Sequence, residues 1–561
     1  MHLARISHMA AGPDDRVREL YRSAVQLMDQ QTLTQTFSEA FSANRDKTAI
    51  TFFSNGSVET ELTYADLDRD SNRAANALND MGIKKGDRAV LFLPKSLMMV
   101  VVHLALQKMG AAAIPLNPGF KKSEMTYLLH DAKADIAFTG PDQDAIVHAI
   151  DPRLPTITIP DHKPYQDLDL FQSAADNPPG EQVEPDDPGL IIYTSGTTGK
   201  PKGAILTQRN LVHDAKNIIN IWEITETDVL CHALPLFHVH GLCFALHTAL
   251  IAGAHVLMLD RFSPEHVLNL LTRKTGTYVC TVFMAVPPMY GKLMDEVGDR
   301  RLDFSHMRLW TSGSAPLLPK DFERIARIFG KEPVEREGMS ETGMNFSNPL
   351  RGVRKPGAIG LPLPGLEVQI VDPETLKEVA PGEEGEIWLK GPGVTPGYWN
   401  KPEETDRAFK NGWFRTGDLG RVDADGYYYL TDRCKNIIIS GGENISPKEI
   451  EGIINALPDV LESSVVGIPD EQWGEKVVAA VAAKAGSGLT PGDVKTRCRE
   501  RLHPWKCPKE IVFVKELPKN TMGKVLSHEV KKIFQPSQPT GRDINGPPKN
   551  HQRQAHFDRG R

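Results

Sequence analysis

The stretch Tyr193-Thr194-Ser195-Gly196-Thr197-Thr198-Gly199-Lys200-Pro201-Lys202-Gly203 limits what this chain can fold into more than any other segment. The apolar run Leu190-Ile191-Ile192 precedes it and Ala204-Ile205-Leu206-Thr207 follows it, and both read as short strands. A glycine- and hydroxyl-rich loop is therefore held between two strands. Glycines let backbone N–H groups turn toward one point, and Ser and Thr hydroxyls add further donors. Two lysines flank Pro201 and bring positive charge. The phosphates of a nucleotide need such a loop. The P-loop pattern G-x-x-x-x-G-K-[ST] is not met, because Pro201 follows Lys200 and the glycine spacing differs. A solvated linker of this composition has no use for the lysine pair.

A length of 561 residues allows two or more domains and a large core. The formal net charge is -7, so the bulk balance offers no nucleic-acid surface. The six cysteines form neither a C-x-x-C pair nor a Cys/His cluster. Neither a disulfide framework nor a zinc site is indicated, and a reducing cytoplasm is expected. The apolar run at 98–106 is too short to span a bilayer, and the run at 242–259 is interrupted by His247, Gly253 and His255. Residues 1–18 carry Asp14 and Asp15 and lack the apolar core of a signal peptide.

Periodicity predicts a helix over 62–81 closed by Gly82, a strand over 89–93 stopped by Pro94, a helix reaching about residue 109, and a strand over 111–115. This alternation implies parallel strands covered by helices on both faces. After Pro362, short strands at 367–371 and 385–389 lie between Gly/Pro turns and suggest a β-subdomain. A helix at 447–456, strands at 462–467 and 476–483, and a helix at 491–502 make a compact α+β unit. The expected fold class is α/β: a large N-terminal domain of parallel α/β sheets with a β-subdomain, then a small C-terminal α+β domain. The expected boundaries are an extension at 1–32 with an amphipathic helix at 16–29, a large domain at 33–432, a small domain at 433–534, and a tail at 535–561. The tail is polar and rich in Pro, Gly, Gln and Arg, a composition that predicts disorder.

Further motifs recur in order. They are Pro235-Leu236-Phe237-His238-Val239-His240-Gly241, Ser312-Gly313-Ser314-Ala315-Pro316-Leu317, Gly338-Met339-Ser340-Glu341-Thr342, Thr416-Gly417-Asp418-Leu419, Asp432-Arg433-Cys434-Lys435, Ser440-Gly441-Gly442-Glu443-Asn444-Ile445 and Pro518-Lys519-Asn520-Thr521-Met522-Gly523-Lys524. With the 193–203 loop, this set closely resembles the adenylate-forming superfamily of acyl-CoA synthetases, luciferases and peptide-synthetase adenylation domains. The resemblance runs from about residue 36 to about 534. One motif alone would be weak, whereas a colinear series is specific.

The resemblance implies two steps. A carboxylate attacks the α-phosphate of ATP to give acyl-adenylate and pyrophosphate, and a thiol, usually coenzyme A, then displaces AMP. Two anions must meet in the first step, so positive charge and fixed donors are required. Thr194, Ser195, Gly196, Thr197, Thr198 and Gly199 would hold the triphosphate with Lys202. Glu341, with Thr194, would bind Mg²⁺ through hard oxygens. Taken by itself, Glu341 also fits a helix-start carboxylate. Gly313, Ser314, Ala315, Gly338, Met339 and Ser340 would line the adenine. Asp418 would accept the ribose hydroxyls, with Arg433 beside it. Lys524 would reach the acyl and α-phosphate oxygens, and His238 would gate the acyl pocket. His240 reads equally as a packed core histidine. Lys435 matches a hinge about which the small, mobile domain rotates, bringing Gly441 and Gly442 to the thiol tunnel.

The family usually places tyrosine before the Gly338 motif, and this chain carries Glu337 there. A carboxylate offers no comparable stacking surface. A degenerate, non-catalytic AMP-binding protein is one alternative that this residue raises. A luciferase-like oxygenase is another. A peptide-synthetase module would need a carrier attachment site, and none follows Phe534. Segments 237–242, 312–317 and 341–349 are most similar to malonyl-CoA synthetases. The expected acid is malonate or a fatty acid. A short dicarboxylate needs a buried cation for its distal carboxylate, and Arg308 is the candidate. Arg308 can also be read as a structural strand-edge arginine. The expected partners are a carboxylic acid, ATP and CoA, without nucleic acid or a membrane span.

Overall fold

The computed structural model describes residues 30–535 except 195–199, 277, 441–442, 471–472, 503, 505 and 521–522. The helix expected at 16–29 and the tail after 535 lie outside the described residues. The chain divides into two compact units. One comprises Met1–Ile437, Ser446–Glu449 and Lys519–Val525, and the other Ile438–Ile445, Ile450–Pro518 and Leu526–Arg561. Sequence placed the break at 432/433, a few residues earlier. Among the described residues no helix is long and apolar enough to cross a membrane.

The large unit holds a nine-stranded, a six-stranded and a smaller five-stranded sheet. In the six-stranded sheet, strands Thr156–Thr158, Ile136–Thr139, Arg88–Phe92, Ala112–Pro115 and Pro188–Thr194 run parallel. Lys202–Thr207 closes this sheet antiparallel to Pro188–Thr194. The nine-stranded sheet likewise has a parallel centre and antiparallel edges, with Ser57–Thr63 at one edge and Gly343–Ser347 and Leu361–Pro362 at the other. The sheets are therefore mixed, where alternation alone predicted parallel strands. Hairpin neighbours such as Pro188–Thr194 and Lys202–Thr207 need no crossover helix, so they pair antiparallel.

Helix Tyr64–Asp80 begins at a capping box in which Thr63 accepts from Asp66 N–H and Asp66 accepts from Thr63 N–H. Every residue of helix Leu97–Met109 is buried, which explains the continuous apolar run and its lack of a polar face. Gly110 ends that helix at φ 67°, a left-handed conformation that glycine adopts without strain. Helix Gln208–Trp222 packs on both hairpin strands of the six-stranded sheet and on Gly343–Ser347 of the nine-stranded sheet. It ties the two sheets together.

The small unit contains a five-stranded sheet. Val460–Asp470 pairs antiparallel with Gly474–Ala483, and Glu510–Val514 runs parallel to the latter. Its core is Ile438, Ile445, Ile450, Ile454, Val465, Val477, Val481 and Val494.

Candidate nucleotide and acid site

Strands Val229–His232, Val282–Ala285, Leu309–Ser312 and Val334–Met339 lie side by side and parallel in the nine-stranded sheet. The motif segments at 235–241 and 312–317 and the turn at 340–342 all leave from C-terminal ends of these strands. Open α/β sheets bind ligands at such ends.

Glu341 sits in the turn between antiparallel strands Val334–Met339 and Gly343–Ser347, not at a helix start. Only 8% of its surface is exposed. Its Oε1 accepts from the Thr194 hydroxyl at 3.2 Å and from the Tyr398 hydroxyl at 3.1 Å. The Glu341 carbonyl accepts from Thr395 N–H at 2.7 Å. Lys202 Nζ lies 5.1 Å from the centre of the Tyr398 ring. A carboxylate and a hydroxyl from two different sheets thus meet where the 195–199 loop begins. Two hard oxygen donors of this kind could hold Mg²⁺. Tyr398 was not singled out in the sequence, since it lies outside every motif and reaches Glu341 only through the fold.

Asp418 and Arg433 are direct partners across antiparallel strands Trp413–Val422 and Tyr428–Arg433. Arg433 Nε lies 2.6 Å from Asp418 Oδ1. The pair leaves Asp418 held in one orientation, as an acceptor for a diol requires. Glu337 is half-buried close to both, and its Oε2 accepts from Asn345 Nδ2 at 3.1 Å. Burial, and then the neighbouring Asp418 charge, pushes the Glu337 carboxyl up to about 7.

Arg336 is the unexpected member of the site. It is 2% exposed, and its Nε, Nη1 and Nη2 have no hydrogen-bond partner among the described residues. Its guanidinium carbon lies 5.0 Å from the centre of the Phe244 ring. A Cβ on Gly313 would fall 2.7 Å from that guanidinium, so only glycine permits the approach. Burial lowers the Arg336 pKa to about 10, against the opposing pull of Glu337 and Asp214. His240 faces the same charge and is held well below its usual pKa, first by burial and then by Arg336. His240 Nδ1 lies 3.2 Å from Ser314 Oγ, while its buried Nε2 has no partner among the described residues. Ser314 holds φ at +66°, an uncommon conformation for a residue with a Cβ. The sequence signal for Arg336 was its place beside the Gly338 motif, but adjacency does not reveal a missing partner.

Arg308 does not join this site. Its Nε and Nη2 form a two-point ion pair with Asp228, both contacts at 2.6 Å. Two further donors bind the Trp222 carbonyl at 2.9 Å and the Glu223 carbonyl at 3.0 Å. Those carbonyls end helix Gln208–Trp222. Four of its five guanidinium N–H groups are thus engaged, which favours the structural strand-edge reading over the acid-binding one.

His238 stacks obliquely on Phe237, with ring centres 4.8 Å apart, and burial lowers its pKa to about 4. Gly338 allows its strand to approach Gly343, whose carbonyl would lie 2.7 Å from an added Cβ. Lys524 is held in a small turn, where its N–H donates to Asn520 Oδ1 at 2.9 Å and its carbonyl accepts from Asn520 N–H at 2.9 Å. Lys435 lies in the short 3₁₀ turn Cys434–Asn436, just before the break between the units. Ser195, Gly196, Thr197, Thr198, Gly199, Gly441 and Gly442 lie outside the described residues.

Two family models match the chain: AMP-binding enzyme over residues 37–399, and AMP-binding enzyme C-terminal domain over residues 449–524. The chain belongs to the AMP-binding enzyme family. A mitochondrial malonate–CoA ligase of Mus musculus is 36% identical over 515 residues, covering 85% of this chain and 87% of the relative. An oxalate–CoA ligase of Arabidopsis thaliana is 35% identical over 522 residues, covering 90% and 99%. Among solved structures, ATP-bound MatB from Rhodopseudomonas palustris matches with a TM-score of 0.83 at 36% identity, covering 90% of this chain and 99% of that one. The reaction class is acid–thiol ligation, with a carboxylic acid, ATP and CoA as substrates.

Proposed function

We propose that this ligase activates a short dicarboxylic acid and transfers it to coenzyme A through an acyl-adenylate, releasing AMP and pyrophosphate. The unpartnered, buried Arg336 carries this reading. An arginine taken out of water without a partner costs several kcal/mol, by the order of magnitude for a buried ion. A ligand's distal carboxylate supplies the missing charge and accepts two parallel hydrogen bonds from the guanidinium. His240 Nε2 adds a polar atom beside it. A fatty acyl chain in this pocket would leave both groups unpaired. The relatives named for malonate and oxalate, both short dicarboxylates, support the same choice.

In this scheme Glu341 and Thr194 would hold Mg²⁺, which would supply positive charge against the phosphates. The 194–199 loop and Lys202 take the triphosphate. Gly313, Ser314, Ala315, Gly338, Met339 and Ser340 flank the base, and Asp418 with Arg433 takes the ribose. Lys524 supplies charge at the α-phosphate, His238 gates the acid, Lys435 is the hinge, and Gly441 and Gly442 border the thiol path. The compartment proposed is a reducing cytoplasm, in keeping with cysteine spacings that suggest no disulfide framework.

ATP–pyrophosphate exchange with oxalate, malonate, succinate, butyrate and a long-chain fatty acid tests the proposal. Dicarboxylates should dominate in the parent enzyme. Arg336→Met should lower their exchange by about 10²-fold or more, since one lost partner of a buried charge pair costs roughly 3–5 kcal/mol. Preference for a monocarboxylate in the parent would overturn the dicarboxylate assignment.

A further inference from the structure

Alternation along Val334–Met339 separates two neighbouring charges. Arg336 lies against the Phe244 ring and is the group proposed for the acid. Glu337 lies toward Asn345, Asp418 and Arg433, on the side proposed for the nucleoside. Two carboxylates therefore share this region, and only Asp418 has an ion pair there, to Arg433 Nε. Glu337 has one amide donor, Asn345, from the adjoining strand. The charged groups that act on it are Asp418 and Arg433, on two strands of the smaller sheet, and Arg336, its neighbour on its own strand. Asp214 of helix Gln208–Trp222 also acts on the Arg336 charge.

We propose that Glu337 is a specificity-determining residue of the nucleoside pocket, and that it admits the nucleotide as the neutral carboxylic acid, taking up one proton when ATP binds. The proposal rests on the nucleotide assignment above. A bound nucleoside excludes water from the two carboxylates. One of them must then lose its charge, because adjacent carboxylates in a shared dry site do not both stay ionised. Arg433 pairs with Asp418, and Glu337 has only the Asn345 amide, so the proton goes to Glu337. The balance is simple: one proton leaves solution and joins one Glu337 oxygen. A neutral carboxyl adds a donor beside Asp418, where an ionised one offers only acceptors. The raised Glu337 pKa of about 7 places this uptake in the neutral range. Hydrogen bonding with a protonation requirement thus stands where the family's tyrosine gives a stacking face.

The test is direct binding of ATP with saturating Mg²⁺, without acid or CoA, by calorimetry in buffers of different ionisation enthalpy from pH 6 to 8.5. In the parent enzyme the ATP Kd should rise above pH 7, approaching about tenfold per pH unit. Glu337→Gln keeps the shape and cannot titrate, so its Kd should stay nearly flat. The difference in proton uptake between the two should approach about one at pH 8, with the ligand's own titration cancelling. Glu337→Tyr is a second non-titrating variant and should behave like Glu337→Gln. Equal pH dependence and equal uptake in parent and variants would overturn the proposal while leaving ATP binding intact. Absence of ATP binding in every protein would overturn the nucleotide assignment itself.

Discussion

The Thr194 hydroxyl and the Glu341 carboxylate meet at 3.2 Å although 147 positions separate them in the chain. Thr194 ends a strand of the six-stranded sheet, and Glu341 lies in the turn after a strand of the nine-stranded sheet. Their contact sets the residue just before position 195 against a buried carboxylate. Neither sheet alone contains both groups. The Tyr398 hydroxyl shares the same carboxylate oxygen and fixes its direction.

Glu341→Gln should therefore weaken metal-dependent turnover and not the fold. The amide still accepts from Thr194 and Tyr398, so thermal midpoints should change little. It is a poorer ligand for a hard cation, so the Mg²⁺ concentration for half-maximal exchange should rise about 10-fold or more. A Mg²⁺ titration of pyrophosphate exchange reads this. An unchanged midpoint of that titration would take Glu341 out of the metal site.

Arg308→Leu should separate structural from specificity roles. The substitution leaves Asp228, 4% exposed, without its two-point partner. Thr281 and the Thr225 N–H still donate to that carboxylate, which softens the loss. Destabilisation on the order of 3 kcal/mol is expected from breaking a mostly buried charge pair. The ratio of dicarboxylate to monocarboxylate exchange should stay unchanged. A selective loss of dicarboxylate activity would restore Arg308 to the acid site.

Asp214 predicts a pH effect on stability. Burial pushes its carboxyl up to about 7, well above its ordinary value of 3.8, although the Met344 N–H at 2.8 Å pulls the other way. Between those two values the folded state holds more protons than the unfolded state. Stability is therefore full at low pH within this window and falls as pH rises toward 7, by up to about 1.4 kcal/mol per pH unit for this group. Asp214→Asn keeps an acceptor for Met344 and removes the titration. Thermal midpoints from pH 4.5 to 8 should fall less steeply in the variant. Parallel curves would show that Asp214 ionises normally in the fold.

Sequence made the site legible wherever chemistry is local. Thr194, Glu341, Asp418 and Arg433 each sit in a short motif at a strand end or turn, so neighbours in the chain define their setting. The buried helix Leu97–Met109 was also legible, because a run apolar on every face has nowhere to go but a core. Arg308 and Arg336 were not separable. Both lie at or near strands of one sheet, and their roles depend on what the fold sets beside them. Asp228, 80 positions away, pairs with Arg308, while Arg336 meets the Phe244 ring and Gly313. Pairing is a property of the tertiary structure, and composition carries no trace of it. The antiparallel edge strands were missed for a related reason, since alternation reports crossovers and not hairpin pairing.

Lys524→Ala gives the sharpest test of a two-step mechanism. Its ammonium is a compact point charge on a long stem, suited to a phosphorus centre that gathers negative charge only in the first step. Loss of one preorganised donor of this kind lowers a rate by about 10²-fold or more. Adenylation should fall by that factor. Transfer to CoA requires no charge at the α-phosphate beyond what releases AMP, so a variant supplied with preformed acyl-adenylate should keep most of its second-step rate. Gly442→Trp should do the reverse if Gly442 borders the thiol path as proposed, since a large side chain there would block CoA and leave ATP and acid free to react. Rapid-quench measurement of both half-reactions on both variants compares them directly. Equal slowing of the two steps by Lys524→Ala would mean that one arrangement of the chain serves both, and that the small domain does not alternate between them.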